Sequence, residues 1–416
     1  MKGNFQEALA DARNHNEAPF PATEYRDRLT RVRRLMDEAK IDLIFAMAPE
    51  SICYLSGFAG HWYQAQSGKA FPPTSGLAIH RDRDQTMHFE TPSEAILAHI
   101  GTHSPDIRIF PVGSRRDGLP FILQELKAAG WLKPGARVGL ELYNYRPNPM
   151  VARRYEEGFK AAGVEVVDAT HIIQQARHIK SPAEMACLEK AAELAEIGMA
   201  AAEQVIAPGV SELEVFGVLI VAMTKAGGEF SGIIPPVISG FRSNALHPLA
   251  TRRKIQKGER VNIDLCGVYN RYHVNMARGF WVGEPPKEAL DIHNRSIGVF
   301  PAVIEPMLKP NLEVLKFCEA LRDYYVDQGI WDESYWSGGY EFGLAFPPDW
   351  VGSFIYDLSI SKPGERFLPM TAVNHECNFF APNKTGLSAT IDTFLFGEKD
   401  ARIVTTRPRE IKVLHA

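Results

Sequence analysis

Between Val261 and Phe280 the chain reads VNIDLCGVYNRYHVNMARGF, two apolar-rich runs of strand length around a polar turn. Such a stretch predicts a β-hairpin, and a hairpin commits the chain around it to a sheet with one covered face. Asp264 ends the first strand of this reading and Asn275 follows eleven residues later. A metal centre built on two such strands wants carboxylate oxygens at both positions, and here the second is a neutral amide.

The 416 residues are 45% hydrophobic and 23% charged, an ordinary globular balance and enough chain for two cores. A formal net charge of −4 and a pI near 6.4 argue against nucleic acid or an anionic membrane as the main partner. Basic runs such as RDRLTRVRR and TRRKIQK read as solvated helix and turn faces. No apolar run approaches the roughly 20 residues that span a bilayer, and the N-terminus has no apolar signal core. The five cysteines, Cys53, Cys187, Cys266, Cys318 and Cys377, are scattered and odd in number, so neither a disulfide framework nor a zinc knuckle is expected. The expectation is a cytoplasmic protein.

Two domains are expected, an α/β domain over 1–175 and an α+β domain over 176–416. In the first, Leu29, Val32 and Leu35 make the apolar stripe of a helix ahead of a buried strand at IDLIFAM. Further strands are expected at SGLAIH, DQTMHFE, RIFPVG, RVGLEL and VEVVDA, with LPFILQELKAAGWL as a helix between them. The second opens with KSPAEMACLEKAAELAEIGMAAAEQ, where Ser181, Pro182 and Glu184 make a capping box for a long helix. APGVSELEV starts another helix in the same way. From about residue 228 the text turns to short strands rich in Gly, Pro and aromatics, interrupted by a helix pair near 287–328.

Five phrases in order resemble the creatinase, prolidase and aminopeptidase P family: RHIKSPAEMACLEKAAELA, APGVSELEV, LHPLATRRKIQKGERVNIDLCGVYNRYHVNMARGFWVG, KPGERFLPMTAVNHECNFF and ATIDTFLF. The resemblance runs from about Tyr25 to the end. It implies an α/β N-terminal domain followed by a pita-bread catalytic domain. ICYLSGFAGHWYQAQ and GGYEFGLAFPPDW are similar to the creatinase and ectoine hydrolase branch of that family.

The metal peptidases of the family hold two divalent ions with Asp, Asp, His, Glu and Glu. Carried over by position, these fall on Asp264, Asn275, Tyr340, Glu376 (an ungapped count lands on His375) and Ile391. Asp392 is adjacent to Ile391, but one step along a strand turns a side chain to the other face. The expectation is therefore no metal and no cofactor, with a partial mononuclear site from Asp264, His375 and Glu376 as the remaining alternative. Creatinase, as the resemblance implies, works without metal through a histidine that shuttles the proton, and the matching residue is His247. A histidine of ordinary pKa can take a proton from water and return it to a leaving nitrogen. The plainer alternative for His247 is a loop residue before Pro248, and for Asp264 a cap on the strand end.

The expected activity is metal-independent hydrolysis of a C–N bond in a small polar compound: a cyclic amidine such as ectoine, a guanidino acid or a short amide. His247, Asp264 and Glu376 are the expected catalytic residues. Asn275, Tyr340 and His375 are expected to contact substrate from the walls, and Trp62 and Tyr63 from a capping loop. Trp350, in the PPDW segment, is expected to form a rigid wall. Arg242 or Lys69 is the available partner for a substrate carboxylate. The second guanidinium-gripping Glu of creatinase falls on Ala277, which weighs against creatine. As the resemblance implies, the expected assembly is a homodimer whose N-terminal domain caps its partner's site, with no nucleic acid and no membrane partner. Two other readings stay open: a metal-dependent Xaa-Pro dipeptidase or dimethylsulfoniopropionate lyase-like enzyme, and a non-catalytic binding protein on the same fold.

Overall fold

A computed structural model describes residues 3–61, 63, 74–114 and 117–415. It divides into two compact units, one ending at Arg177 and the other starting at His178. No helix among the described residues is long and apolar enough to cross a membrane.

The first unit runs α1 (Gly3–Ala12), α2 (Ala22–Glu38), β1 (Leu43–Ala46), α3 (Pro49–Ser56), β2 (Gly76–His80), β3 (Thr86–Glu90), α4 (Ala95–Ile100), β4 (Asp106–Ile109), α5 (Leu119–Ala128), β5 (Arg137–Leu140), α6 (Pro149–Ala161), β6 (Glu165–Asp168) and α7 (Thr170–His178). Its sheet has the order β4-β3-β2-β1-β5-β6 and mixes parallel with antiparallel pairs. The stripe Leu29, Val32 and Leu35 is buried as its spacing predicts, and β1 is buried at every position. The strand expected at RIFPVG stops at Ile109, two residues before Pro111, which has no amide to give a ladder.

The second unit runs α8 (Pro182–Glu203), α9 (Glu212–Lys225), β7 (Val237–Ser239), β8 (Arg260–Tyr269), β9 (Tyr272–Val282), α10 (Lys287–Ile297), a π-helical turn leading into α11 (Glu305–Met307), α12 (Val314–Asp327), β10 (Ser334–Tyr340), β11 (Ile355–Asp357), β12 (Thr371–Phe380), β13 (Leu387–Phe396), β14 (Ala401–Ile403) and β15 (Lys412–Leu414). Ser181 and Ser211 both close capping boxes, each accepting from the third helical amide while Glu184 and Glu214 return the bond. The sheet order is β11-β10-β12-β13-β9-β8-β7, with β14 on β13 and β15 on β9.

One face of this sheet is covered by helices. Val261, Ile263, Leu265, Met276 and Phe280 pack with Ala195, Met199, Val215 and Leu219 of α8 and α9. Phe394 and Phe396 pack with Phe300 and with Phe317 of α12. The approach of α8 is close enough that a Cβ on Gly267 would lie 1.9 Å from the Ala191 carbonyl oxygen, so this position admits only glycine. The period of two then sends Asp264 and Asn275 to the opposite face. The hairpin of the opening reading is present, turning at Asn270 and Arg271 with φ of 49° and 67°. Both turn amides donate to Glu229, at 2.9 and 3.0 Å, which offsets part of the strain of a left-handed arginine.

Candidate active site

The opposite face of the second sheet holds a small recess that opens to solvent. Asp264 from β8, Glu376 from β12 and His247 from the loop after β7 line it, together with Asn262 and the apolar side chains of Ile238 and Ile391. Three segments far apart in sequence thus bring together the acid, acid and histidine expected to carry chemistry. His247 is exposed at the rim, Asp264 is partly exposed and Glu376 is buried.

The two carboxylates are held by amides. Asn275 Nδ2 donates to Asp264 Oδ1 at 2.6 Å and to the Leu265 carbonyl at 3.0 Å. Asn374 Nδ2 donates to Glu376 Oε1 at 3.0 Å and lies 3.4 Å from Asn275 Oδ1. Asn378 Nδ2 donates to Glu376 Oε2 at 2.9 Å. Tyr340 adds a hydrogen bond from its hydroxyl to Glu376, takes one from Trp350 Nε1 at 3.2 Å, and gives its backbone amide to Asn374 Oδ1 at 2.7 Å. Burial pushes Asp264 up to about 6, partly offset by the Asn275 bond and by His247. Burial and the Asp264 charge push Glu376 up to about 7, against the three hydrogen bonds that favour its ionised form. Both carboxyls are thus held above the ordinary carboxylate range.

Asn374 and Asn378, both fully buried, are residues that sequence reasoning missed. The signal was there: Asn374, Glu376 and Asn378 recur at every second position of one strand, so they share a face. His375 does not reach the recess. It points to the opposite face, boxed by the rings of Phe300, Phe317, Tyr356 and Phe394 at centroid distances of 5.8–6.3 Å. Burial drives its pKa down to about 3, and its Nε2 has no partner. Of the two, Glu376 faces the recess, and the mononuclear set that included His375 is not assembled.

Arg242 also lies elsewhere. It is ion-paired to the fully buried Glu212 and bonds Thr251 Oγ1 and the Leu249 carbonyl, so its charge anchors the loop that carries His247. Tyr63 is half-buried in the first unit, while Trp62 and Lys69 lie outside the described residues. Trp350 is buried behind Tyr340, as a wall residue would be.

The five positions expected to hold two ions lie together here, and their side chains do not suit two divalent ions. Ile391 presents methyl groups opposite Glu376. Asn275, Asn374 and Asn378 aim amide hydrogens at the carboxylate lone pairs that an ion would take. Among the described residues no group of three or more His, Cys, Asp or Glu side chains is placed to hold a metal. Asp392, next to Ile391, turns away and pairs with Arg278 at 2.6 Å and Arg409 at 2.5 Å.

Fold and recess together define a hydrolase of the pita-bread class. Residues 28–179 match the Creatinase/Prolidase N-terminal domain and residues 186–391 match Metallopeptidase family M24, and the chain belongs to this creatinase/prolidase family. It is 24% identical over 386 residues to an Xaa-Pro dipeptidase of Pyrococcus furiosus, covering 93% of this chain and 99% of that one. It is 25% identical over 369 residues to the ectoine hydrolase of Halomonas elongata, covering 84% and 89%. The crystal structure of an X-Pro aminopeptidase from Thermotoga maritima superposes with a TM-score of 0.78 at 19% identity, covering 93% and 99%. That likeness concerns the fold, two domains in the expected order.

Proposed function

We propose that the protein is a metal-independent hydrolase that splits a C–N bond in a small polar compound, a cyclic amidine, guanidino acid or short amide. One observation carries the reading: three of the five ligand positions hold Asn275, Tyr340 and Ile391, while Asp264, Glu376 and His247 still line one recess. His247 takes a proton from water as its oxygen bonds to the substrate carbon. The proton shared by Asp264 and Glu376 goes to the leaving nitrogen as the C–N bond breaks, and His247 then returns its proton to the pair. Asn275, Asn374, Asn378 and Tyr340 hold the acids in place. In this reading the protein works in the cytoplasm as a homodimer, the first unit of one copy capping the recess of the other.

Metal analysis of protein purified without chelator, paired with a panel of ectoine-type amidines, guanidino acids, amides and Xaa-Pro dipeptides, tests this. Turnover of a non-peptide substrate at sub-stoichiometric metal is the expected result. A second reading, an Xaa-Pro dipeptidase, is favoured by similarity to the Pyrococcus furiosus enzyme across 93% of this chain. Stoichiometric metal with turnover of Xaa-Pro dipeptides alone would establish it and overturn the first.

A further inference from the structure

Arg260 opens β8 and is 1% exposed, and Trp281, its register partner on β9, is 2% exposed. Paired residues of adjacent strands project to the same face as neighbours. Each carries a buried N–H group with no hydrogen-bond partner, Arg260 Nη1 and Trp281 Nε1. The other guanidinium nitrogens are used by neutral groups: Nε donates to Asn262 Oδ1 at 2.9 Å, and Nη2 lies 3.5 Å from His293 Nδ1. His293 Nε2 lies 2.8 Å from the Arg409 carbonyl, which only accepts, so Nε2 carries the hydrogen and Nδ1 is an acceptor. Burial and the Arg260 charge hold that imidazole neutral, down to about 3.

Among the described residues no carboxylate pairs with Arg260, and its pKa is lowered to about 9 by burial alone. Asp392 is already shared by Arg278 and Arg409, and Arg409 also reaches Glu305 at 3.5 Å, so neither acid is paired with Arg260. A buried charge without a counter-charge is strongly unfavourable. Guanidinium and indole are donor-only groups, so whatever joins the two free N–H groups must accept from both. Water would meet the hydrogen bonds and leave the charge. A monoanion meets both needs.

We propose that Arg260 and Trp281 bind a small monovalent anion of the halide class, a structural site separate from the catalytic recess. Asn262 links it to the recess, accepting from Arg260 and itself lining the recess wall. Occupancy therefore fixes a wall residue without placing the anion among the reacting groups.

The test is the melting temperature of the whole protein as potassium chloride replaces potassium gluconate at constant ionic strength. A saturable rise of roughly 2–4 °C is expected, bromide acting likewise, and Arg260→Met should lose it. Bromide-soaked crystals should show an anomalous peak within hydrogen-bond reach of Arg260 Nη1 and Trp281 Nε1, a result that stands even if Arg260→Met does not fold. Equal melting in chloride and gluconate, an equal chloride response in the variant, or an ordered water in place of the peak would each overturn the proposal.

Discussion

Glu376 on β12 and Ile391 on β13 face each other across one rung of the sheet, and Ile391 in turn faces Ala277 on β9. At this rung an aliphatic side chain stands between an acid and a methyl group. Isoleucine cannot screen Glu376 from Asp264, so the Asp264 charge raises the Glu376 pKa, and the amides of Asn275, Asn374 and Asn378 offset part of the cost. The charge state of the recess therefore depends on pH.

The sign of that dependence follows from the raised pKa values of about 6 for Asp264 and about 7 for Glu376. The native state binds protons that the unfolded chain has released above about pH 4, so this pair's contribution is full below pH 4 and is lost as pH rises through 6 to 7. Glu376→Gln removes one charge and relieves Asp264. Urea unfolding of both proteins at pH 5 and pH 8 should show the variant gaining on the parent at the higher pH, at about 1.4 kcal/mol per unit of relieved shift. An unchanged difference between the two pH values would show that the carboxylates do not interact.

His247 sits exposed at the rim and makes no packing contribution that its loss would expose. His247→Ala should leave the melting temperature within about a degree or two while turnover of the best substrate falls roughly 10²–10⁴-fold. Turnover retained within a few-fold would remove His247 from the mechanism.

Much of this was legible in the chain, and the failures have physical causes. The capping boxes at Ser181 and Ser211 are local, so four residues suffice to read each. The hairpin is legible because its alternation and turn lie within twenty residues. The neighbour of Arg242 is not, because Glu212 stands thirty residues earlier and only folding brings it near. His375 was placed by counting along a family pattern, whereas strand alternation, with Asn374, Glu376 and Asn378 on one face, gives the answer directly. Arg260 and Asn262 passed unremarked in a run read as apolar strand, since the gap they fill between β8 and β13, where Asn262 Nδ2 donates to the Leu387 carbonyl at 2.8 Å, exists only in three dimensions.

His375 gives an acid-side prediction of opposite sign. Its pKa near 3 means that the native state excludes a proton the unfolded chain takes up below about 6.5, so its contribution is present above 6.5 and is lost as pH falls towards 3. His375→Phe keeps an aromatic ring in the box and removes an unpaired buried nitrogen. Thermal melts at pH 7.5 and 4.5 should show the variant at least as stable as the parent at the first and clearly more stable at the second, with kcat/KM unchanged. Lost activity in a normally folded variant would return His375 to the site.

Ile391→Glu asks what the recess lacks. It places a third carboxylate across from Glu376, in a wall where Ile391 is 3% exposed. Without metal the new charge is buried beside two acids that already share a proton, and a loss of about 3–5 kcal/mol is expected at pH 8, shrinking as pH falls and the cluster protonates. With manganese or zinc present the three carboxylates become hard-oxygen donors, and binding to the native state alone should restore several degrees of melting temperature in a saturable way. The parent should show no such gain. Adding Asn275→Asp should steepen the metal response, because it replaces an amide donor to Asp264 with a fourth carboxylate. If the parent responds to metal as strongly as the variants, the amides and Ile391 do not displace the ions, and the dipeptidase reading takes precedence. If neither variant responds while both fold, Asn374 and Asn378 hold Glu376 too firmly for an ion to compete.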